Sequence, residues 1–499
     1  MINRLKNKLY NGRLKGLFAT DGTLSQKAAR SGVWVFGSFG FSKVLNFVQM
    51  IILARLLMPE DFGLMGICYV AIGAMAVFTE TGFNAAVIQR KEHNDDVLNT
   101  AWVISVLRGL VLFSLLFFLS PVIAGFYENA QIEPILKVIA FSFMFYGFNN
   151  VGLILFSKEL DFKKKVVYEQ ITAISTIIIT VVLAFMLRNV WALVLGHIAG
   201  AIIGTSLSFW VHPFRPKFKF KIDIAKELFH FGKHVFLSGA LIFLITQGDD
   251  ALIGKVLGLS ALGLYYLAYK VSNLPATAIS HVISSVSFPA YAKVQDDPAR
   301  LKKGYLRILN LTLLLSIPIA AIIFILAPEL ISILYGEKWL PIIPALQILC
   351  LFGITRAINS TFGAIFQASG NPKYLSKTAA IQLISLIIII YPLALYGNIA
   401  GVSIAVTISN LIALMFCIKY ISSIININFS QYFKELLPYI VGAFVIFVFI
   451  FIFKKFVFDT IYIFNLLLLI LLGLIAYGTY IYVVKRNVII ECYNTVKSL

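Results

Sequence analysis

Residues 53–91 read LARLLMPEDFGLMGICYVAIGAMAVFTETGFNAAVIQRK. A polar turn, Pro59-Glu60-Asp61, precedes a long apolar run and a basic exit, Gln89-Arg90-Lys91. Crossing a bilayer core takes roughly 20 apolar residues, and this run is long enough. A weaker copy, IGKVLGLSALGLYYLAYK, occupies residues 253–270. At an offset of 200, Arg55 aligns with Lys255, Leu57 with Leu257, Gly63 with Gly263, Leu64 with Leu264 and Tyr69 with Tyr269. Each copy joins a rising apolar segment to a falling one through a tight turn. The chain reads as a helical hairpin used twice, and so as two related halves. Internal repeats with a site between them are the common plan of secondary transporters.

The composition agrees with a membrane chain. Of 499 residues, 60% are hydrophobic and 13% charged, with a mean hydropathy of +0.89. Soluble domains carry about 25% charged residues. The four cysteines, Cys68, Cys350, Cys417 and Cys492, are scattered without a CxxC pair, so neither a metal site nor a disulfide framework is indicated. The N-terminal segment lacks a signal peptide's apolar core and cleavage site.

Fourteen spans are expected: 32–56, 62–88, 98–119, 135–155, 166–186, 191–211, 232–257, 261–290, 305–326, 342–367, 379–395, 399–421, 437–453 and 461–483. A barrel strand would be about 10 residues of alternating polarity, so these are helices. The turns near Gly258 and at Tyr396-Gly397-Asn398 are tight, and Pro392 is expected to kink its span. The expected architecture is all-α and polytopic, with two six-helix lobes around a central cavity and two further C-terminal helices. Its parts are an amphipathic N-terminal segment (1–30, with Leu5, Leu9, Leu14 and Leu17 on one side), an N-lobe (31–211), a linker (212–231), a C-lobe (232–422) and a C-terminal pair with a tail (423–499).

Net charge is +19, and its placement explains it. Lys and Arg fall in a ratio of roughly 30 to 6 on the two sides of this topology, which marks the richer side as cytoplasmic. Arg90, Lys164 and Lys303 belong to that side; Arg55, Arg188, Lys255, Lys338, Lys454 and Lys455 belong to the other. Both termini are then cytoplasmic, and the halves are related by an axis along the membrane normal. The excess charge is topological, and nucleic acid is not an expected partner. The linker, with PKFKFKIDI and then AKELFHF, is read as an interfacial connector.

Five stretches carry a resemblance: LARLLMPEDFGL (53–64), TGFNAAVIQRK (81–91), VWALVLGHIAGA (190–201), LGLYYLAYKVSNLP (262–275) and FPAYAKVQDDPARLKKGYLR (288–307). In their order and spacing, over about 31–421, the chain resembles the polysaccharide exporter (Wzx-type flippase) family of the multidrug/oligosaccharidyl-lipid/polysaccharide superfamily, in its WzxC-like branch. The resemblance implies a V-shaped cavity and alternating access. It implies flipping of an undecaprenyl-diphosphate-linked oligosaccharide across a bacterial inner membrane for exopolysaccharide, O-antigen or capsule synthesis, with a polysaccharide polymerase and export machinery as further partners. Relatives that flip the peptidoglycan precursor use extra C-terminal helices beside a lipid groove. Two rivals remain: a cation-coupled multidrug exporter of the same superfamily, and a membrane-embedded glycan polymerase or ligase.

Enzyme motifs are missing from the sequence. It contains no GxxxxGK[ST] phosphate loop, HExxH or GxSxG, and no expected external loop exceeds about 20 residues. No cofactor is implied. What remains are ionisable residues within spans, which are costly and functional by default. They are Lys43, Arg108 and Glu80 in the first half, and Asp249, Asp250, Lys270 and Arg356 in the second. Lys137, Lys233 and Glu169 sit nearer span ends, where they can snorkel. A diphosphate requires fixed cations in place of water; Lys43, Arg108, Lys270 and Arg356 are the candidates. Sugar hydroxyls require polar groups; Asn149, Asn150, Tyr168, Gln170, Gln247 and Asn359 are the candidates. Any of these cations is alternatively a salt-bridge partner that serves the fold. Glu80, Asp249 and Asp250 are candidates for coupling to H⁺ or Na⁺. Neighbours on a helix point about 100° apart, so one aspartate can face a lumen while the other packs on span eight with Lys270 as partner, or the pair is structural. His197 and His281 are read as packing residues.

Overall fold

In hydrocarbon a backbone has to satisfy its own hydrogen bonds, so long apolar runs fold as helices. The computed structural model describes residues 24–79, 95–158, 162–274, 287–288, 291–456 and 463–486. Among them every regular element is helical. The order is α1 (Leu24–Leu56), α2 (Pro59–Thr79), α3 (Asp95–Phe126), α4 (Ile132–Gly147), α5 (Leu153–Lys158), α6 (Phe162–Leu187), α7 (Trp191–Val211), α8 (Ile222–Val256), α9 (Leu259–Ser272) and α10 (Pro298–Ile325). An irregular passage through 327–342 contains a π turn, Ile331–Tyr335, and a 3₁₀ turn, Glu337–Ile342. Then come α11 (Ile343–Ala368), α12 (Lys373–Ile425), α13 (Phe429–Phe456) and α14 (Ile463–Val484). The N-terminal surface segment through residue 23, Glu80, the basic exit and His281 lie outside the described residues, as does the side chain of Lys233.

Ten helices among the described residues are long and apolar enough to cross a membrane, and the chain is a multi-pass membrane protein. One of the ten, α12, has 53 residues. A straight helix of that length would run on the order of 80 Å, more than twice a hydrocarbon core. Asn398, at φ 49° and ψ −139°, breaks it into two arms at the expected turn. The expected span four is also interrupted, between α4 and α5. Asn150 causes the break. It is buried; its backbone N–H donates to Ser208 Oγ (2.9 Å), its Nδ2 to the Phe214 carbonyl (2.8 Å), and its Oδ1 accepts from Gly152 N–H (2.9 Å). Such side-chain bonds compete with the helical ladder.

Helices in lipid gain little from burying apolar surface against one another, so close approach at small residues holds them together. On α7, Gly196, Gly200 and Gly204 face Thr180, Thr176 and Thr172 of α6. Gly109 of α3 and Gly147 of α4 lie against each other in the same way. The strand of linker before α8 is stitched to the start of α3: Lys217 N–H donates to Asn99 Oδ1 (2.7 Å) and Lys221 N–H to Thr100 Oγ1 (3.2 Å), and the Lys221 ammonium pairs with Asp96.

The two repeated hairpins meet. α2 packs on α9 through equivalent positions: a Cβ on Gly63 would lie 1.9 Å from the Leu259 carbonyl oxygen, and one on Gly263 would lie 1.8 Å from that of Pro59. This reciprocity is the mark of a pseudo-two-fold contact. Gly258, at φ 88°, makes the turn into α9 in a region that L side chains avoid.

Around that contact, the end of each half's first helix grips the opposite half. Arg55 donates to the carbonyls of Ile333, Leu334 (2.9 Å) and Ser332 (3.4 Å), and Lys338 donates back to those of Leu57 (2.6 Å) and Arg55 (3.1 Å). Trp339 Nε1 donates to the Ala54 carbonyl (2.9 Å). In the other half Lys255, the repeat equivalent of Arg55, pairs with Glu128 at 2.6 Å. The chain's two halves are thus latched at one end.

α13 and α14 pack together and dock on α10. Lys485 (2.7 Å) and Asn310 (3.4 Å) both donate to Glu435 at one end, and Lys454 pairs with Glu329 at the other. Between α13 and α14 runs an apolar groove of about 550 Å³, lined by Val445, Phe449, Leu472 and Ile475 among others.

Candidate functional site

Three of the four sequence-chosen cations come together. Lys270 on α9 lies within electrostatic reach of Lys43 on α1 and Arg356 on α11, so one cation comes from the first half and two from the second. Lys43 sits 5.2 Å from the centre of the Phe39 ring and Lys270 5.2 Å from that of Tyr266. Arg356 donates to Tyr269 Oη (2.7 Å) and Asn273 Oδ1 (3.2 Å). No carboxylate lies within 4 Å of Lys43, Lys270 or Arg356 among the described residues. Arg108, on α3, is not among the charges that act on Lys270. Lys137 pairs locally with Glu133, and Lys165 with Glu169, one turn along their own helices.

The aspartates divide as neighbours on a helix do. Asp249 is buried, and one of its oxygens accepts from Tyr265 Oη at 2.6 Å. The other has no hydrogen-bond partner. Asp249 therefore packs toward α9, but Tyr265 is its partner rather than Lys270. Residues five apart on a helix point about 140° apart, so Tyr265 and Lys270 cannot address the same group. Lys270 acts instead on Asp250.

The sugar candidates separate into two sets. Asn149 accepts from Thr205 Oγ1 (2.8 Å), Asn150 holds the break between α4 and α5, and Tyr168 donates to the Gly204 carbonyl (3.1 Å). These bonds join helices within the first half. Gln170, Gln247 and Asn359 each have a buried carbonyl oxygen with no hydrogen-bond donor. Gln170 Nε2 donates to Ser42 Oγ (2.7 Å) and Asn359 Nδ2 to Asn410 Oδ1, while the carbonyl oxygens of both amides stay without a donor. His197 Nε2 also has no partner, beside the Tyr146 ring.

Four tyrosines were not chosen from the sequence. Tyr69 on α2 stacks on Tyr266 of α9, with ring centroids 5.8 Å apart and planes 13° from parallel. Tyr265 and Tyr269 flank the aspartate and Arg356. The signal was present: Tyr265, Tyr266 and Tyr269 crowd one helix beside Lys270, and Tyr69 recurs at the repeat position. Tyr69 is surrounded by both halves, yet 36% of its surface is open. Its ring is therefore only partly covered by the helices around it. Beside the tyrosines, Lys270 lies within reach of Lys43, Arg356 and Asp250, and Asp249 within reach of Arg356. The gathered cations suit an anionic group.

The family model described as polysaccharide biosynthesis protein matches residues 52–344. The chain belongs to this family. It is 28% identical over 326 residues to the lipopolysaccharide biosynthesis protein WzxC of Escherichia coli (strain K12), covering 65% of this chain and 66% of the relative. It is 26% identical over 379 residues to the teichuronic acid biosynthesis protein TuaB of Bacillus subtilis (strain 168), covering 74% and 77%. Among solved structures it is similar to the lipid II flippase MurJ in an inward closed conformation. The TM-score is 0.76 at 19% identity, over 91% of this chain and 99% of that one. That likeness bears out the all-α polytopic fold expected from the apolar spans.

Proposed function

We propose that the chain is a flippase that moves polyprenyl-diphosphate-linked oligosaccharides across the plasma membrane by alternating access, for synthesis of a surface polysaccharide. One observation carries this reading: Lys43 from the first half and Arg356 from the second both lie within electrostatic reach of Lys270. A diphosphate seated there would draw the halves together. The family and the names of WzxC, TuaB and MurJ support it. Arg offers the diphosphate a planar fork and Lys a point charge. Gln170, Gln247 and Asn359 offer acceptors to sugar hydroxyls. The groove between α13 and α14 is apolar enough for a polyprenyl chain.

The reading carries fourteen crossings, two six-helix lobes and both termini in the cytoplasm, with the latched end external. The carboxylates couple transport to H⁺ or Na⁺, Asp249 through its unpaired oxygen. Three gathered cations argue against a multidrug exporter of cationic compounds.

Complementation of a flippase-null strain tests the proposal. Arg356→Ala removes a charge-assisted bond of about 1.5–3 kcal/mol, or roughly 10- to 150-fold in affinity. It should abolish glycan export while the protein persists in the membrane on an immunoblot. Arg356→Lys should restore part of the activity. Full export by Arg356→Ala and by Lys43→Ala would refute the cation site.

A further inference from the structure

The stacked pair Tyr69–Tyr266 is left unused by a diphosphate clamp. It joins the two halves through the faces of its rings, and Tyr146 lies near Tyr69. Tyr266 has Lys270 over its ring, whereas Tyr69 keeps open surface. Tyr69 is thus exposed on the side away from Tyr266 rather than closed over. An aromatic face is electron-rich and its edge positive, and a phenol adds a polar tip. A pyranose ring is the matching shape, with C–H groups on a face and hydroxyls on the rim. In a lipid-linked glycan the first sugar is bonded directly to the diphosphate. A cation that holds the phosphate beside Tyr266 therefore delivers that sugar to the neighbouring ring.

Resting on the flippase reading, we infer that Tyr69 is the platform for the reducing-end sugar of the lipid-linked glycan, with Tyr266 positioning it. The pair reads the sugar and Lys270 with Arg356 reads the phosphate. The two contributions are then separable by removing either part of the ligand.

The test uses the purified full-length protein in lipid nanodiscs and native mass spectrometry. The probes are undecaprenyl diphosphate and its derivatives bearing one N-acetylglucosamine, glucose or galactose. The wild type is expected to bind at least one sugar-bearing lipid about 2- to 13-fold more tightly than the bare diphosphate, the range of a favourable aromatic contact. Tyr69→Leu should erase that difference and leave the bare diphosphate unchanged. Tyr69→Phe, which keeps the ring, should retain most of it. A stack that only joins the halves predicts otherwise: Tyr69→Leu would shift all the lipids alike. That result, or equal binding of bare and sugar-bearing lipids by the wild type, overturns the platform. If the wild type binds none of the diphosphates, the flippase reading fails with it.

Discussion

Gly63→Val puts a wedge into the contact between the repeats. The added Cβ starts 1.9 Å from the Leu259 carbonyl oxygen, and real Cβ atoms do not approach closer than 3.0 Å, so α2 and α9 have to part by about 1.1 Å. The clashing atoms are backbone on both sides, so no rotamer change relieves the overlap. Overpacking of this kind costs about 1–3 kcal/mol. The cost falls on the arrangement in which the hairpins touch and not on one in which they separate. Alternating access then converts it into a population shift of about 5- to 150-fold toward the separated arrangement. The readout is Lys43→Cys, with native cysteines replaced by alanine, exposed to an impermeant thiol reagent from the latched side. With Gly63 intact the cysteine should react slowly; with Gly63→Val, or Gly263→Val, it should react many-fold faster, and in the Lys43 background either valine should lower export. Gly363→Ala, which has nothing within 4 Å of the new atom, serves as the control and should change neither. If both valine variants label and export as the wild type does, the hairpin contact is not a closure and the argument fails.

Asp249→Asn should stop transport without loss of protein if its unpaired oxygen takes up the coupling ion; normal export driven by either a proton or a sodium gradient would exclude it. Glu128 is held below the ordinary carboxylate range by the hydrogen bond and then the charge of Lys255. A lowered value means that the pair favours the latch above about pH 4.3 and that this support is lost as pH falls through the lowered value. Labelling from the latched side should therefore rise as the pH falls below the ordinary glutamate range, and Glu128→Gln should remove that step; because the pair is exposed, high salt should weaken it at neutral pH. Cysteines at 164 and 303 should be inaccessible to an impermeant reagent in intact cells, while one at 338 should react; labelling at 164 or 303 would invert the topology.

Much of this protein is legible in one dimension. Helix lengths follow from the bilayer's thickness, so the boundaries of α7 and the turn at Asn398 fell where the apolar runs and turn residues placed them. The hairpin repeat was readable because both halves use a tight turn and a glycine at the same register. Residues buried in span interiors stood out because charge in hydrocarbon is rare. The sequence could not say which of these residues meet. Lipid-facing and helix-facing positions are equally apolar, so hydropathy does not reveal which helix faces which. That is why Arg108 looked equivalent to Lys43, Lys270 and Arg356, yet the charges that act on Lys270 include Lys43 and Arg356 and not Arg108. It is also why Asn150, chosen for its polarity, proved to be a bracket for its own turn. Only the tertiary structure set Tyr69 against Tyr266 and Arg55 against the carbonyls at 332–334. Those contacts depend on the distances and directions between helices far apart in the chain, and the local period of a helix carries no record of either.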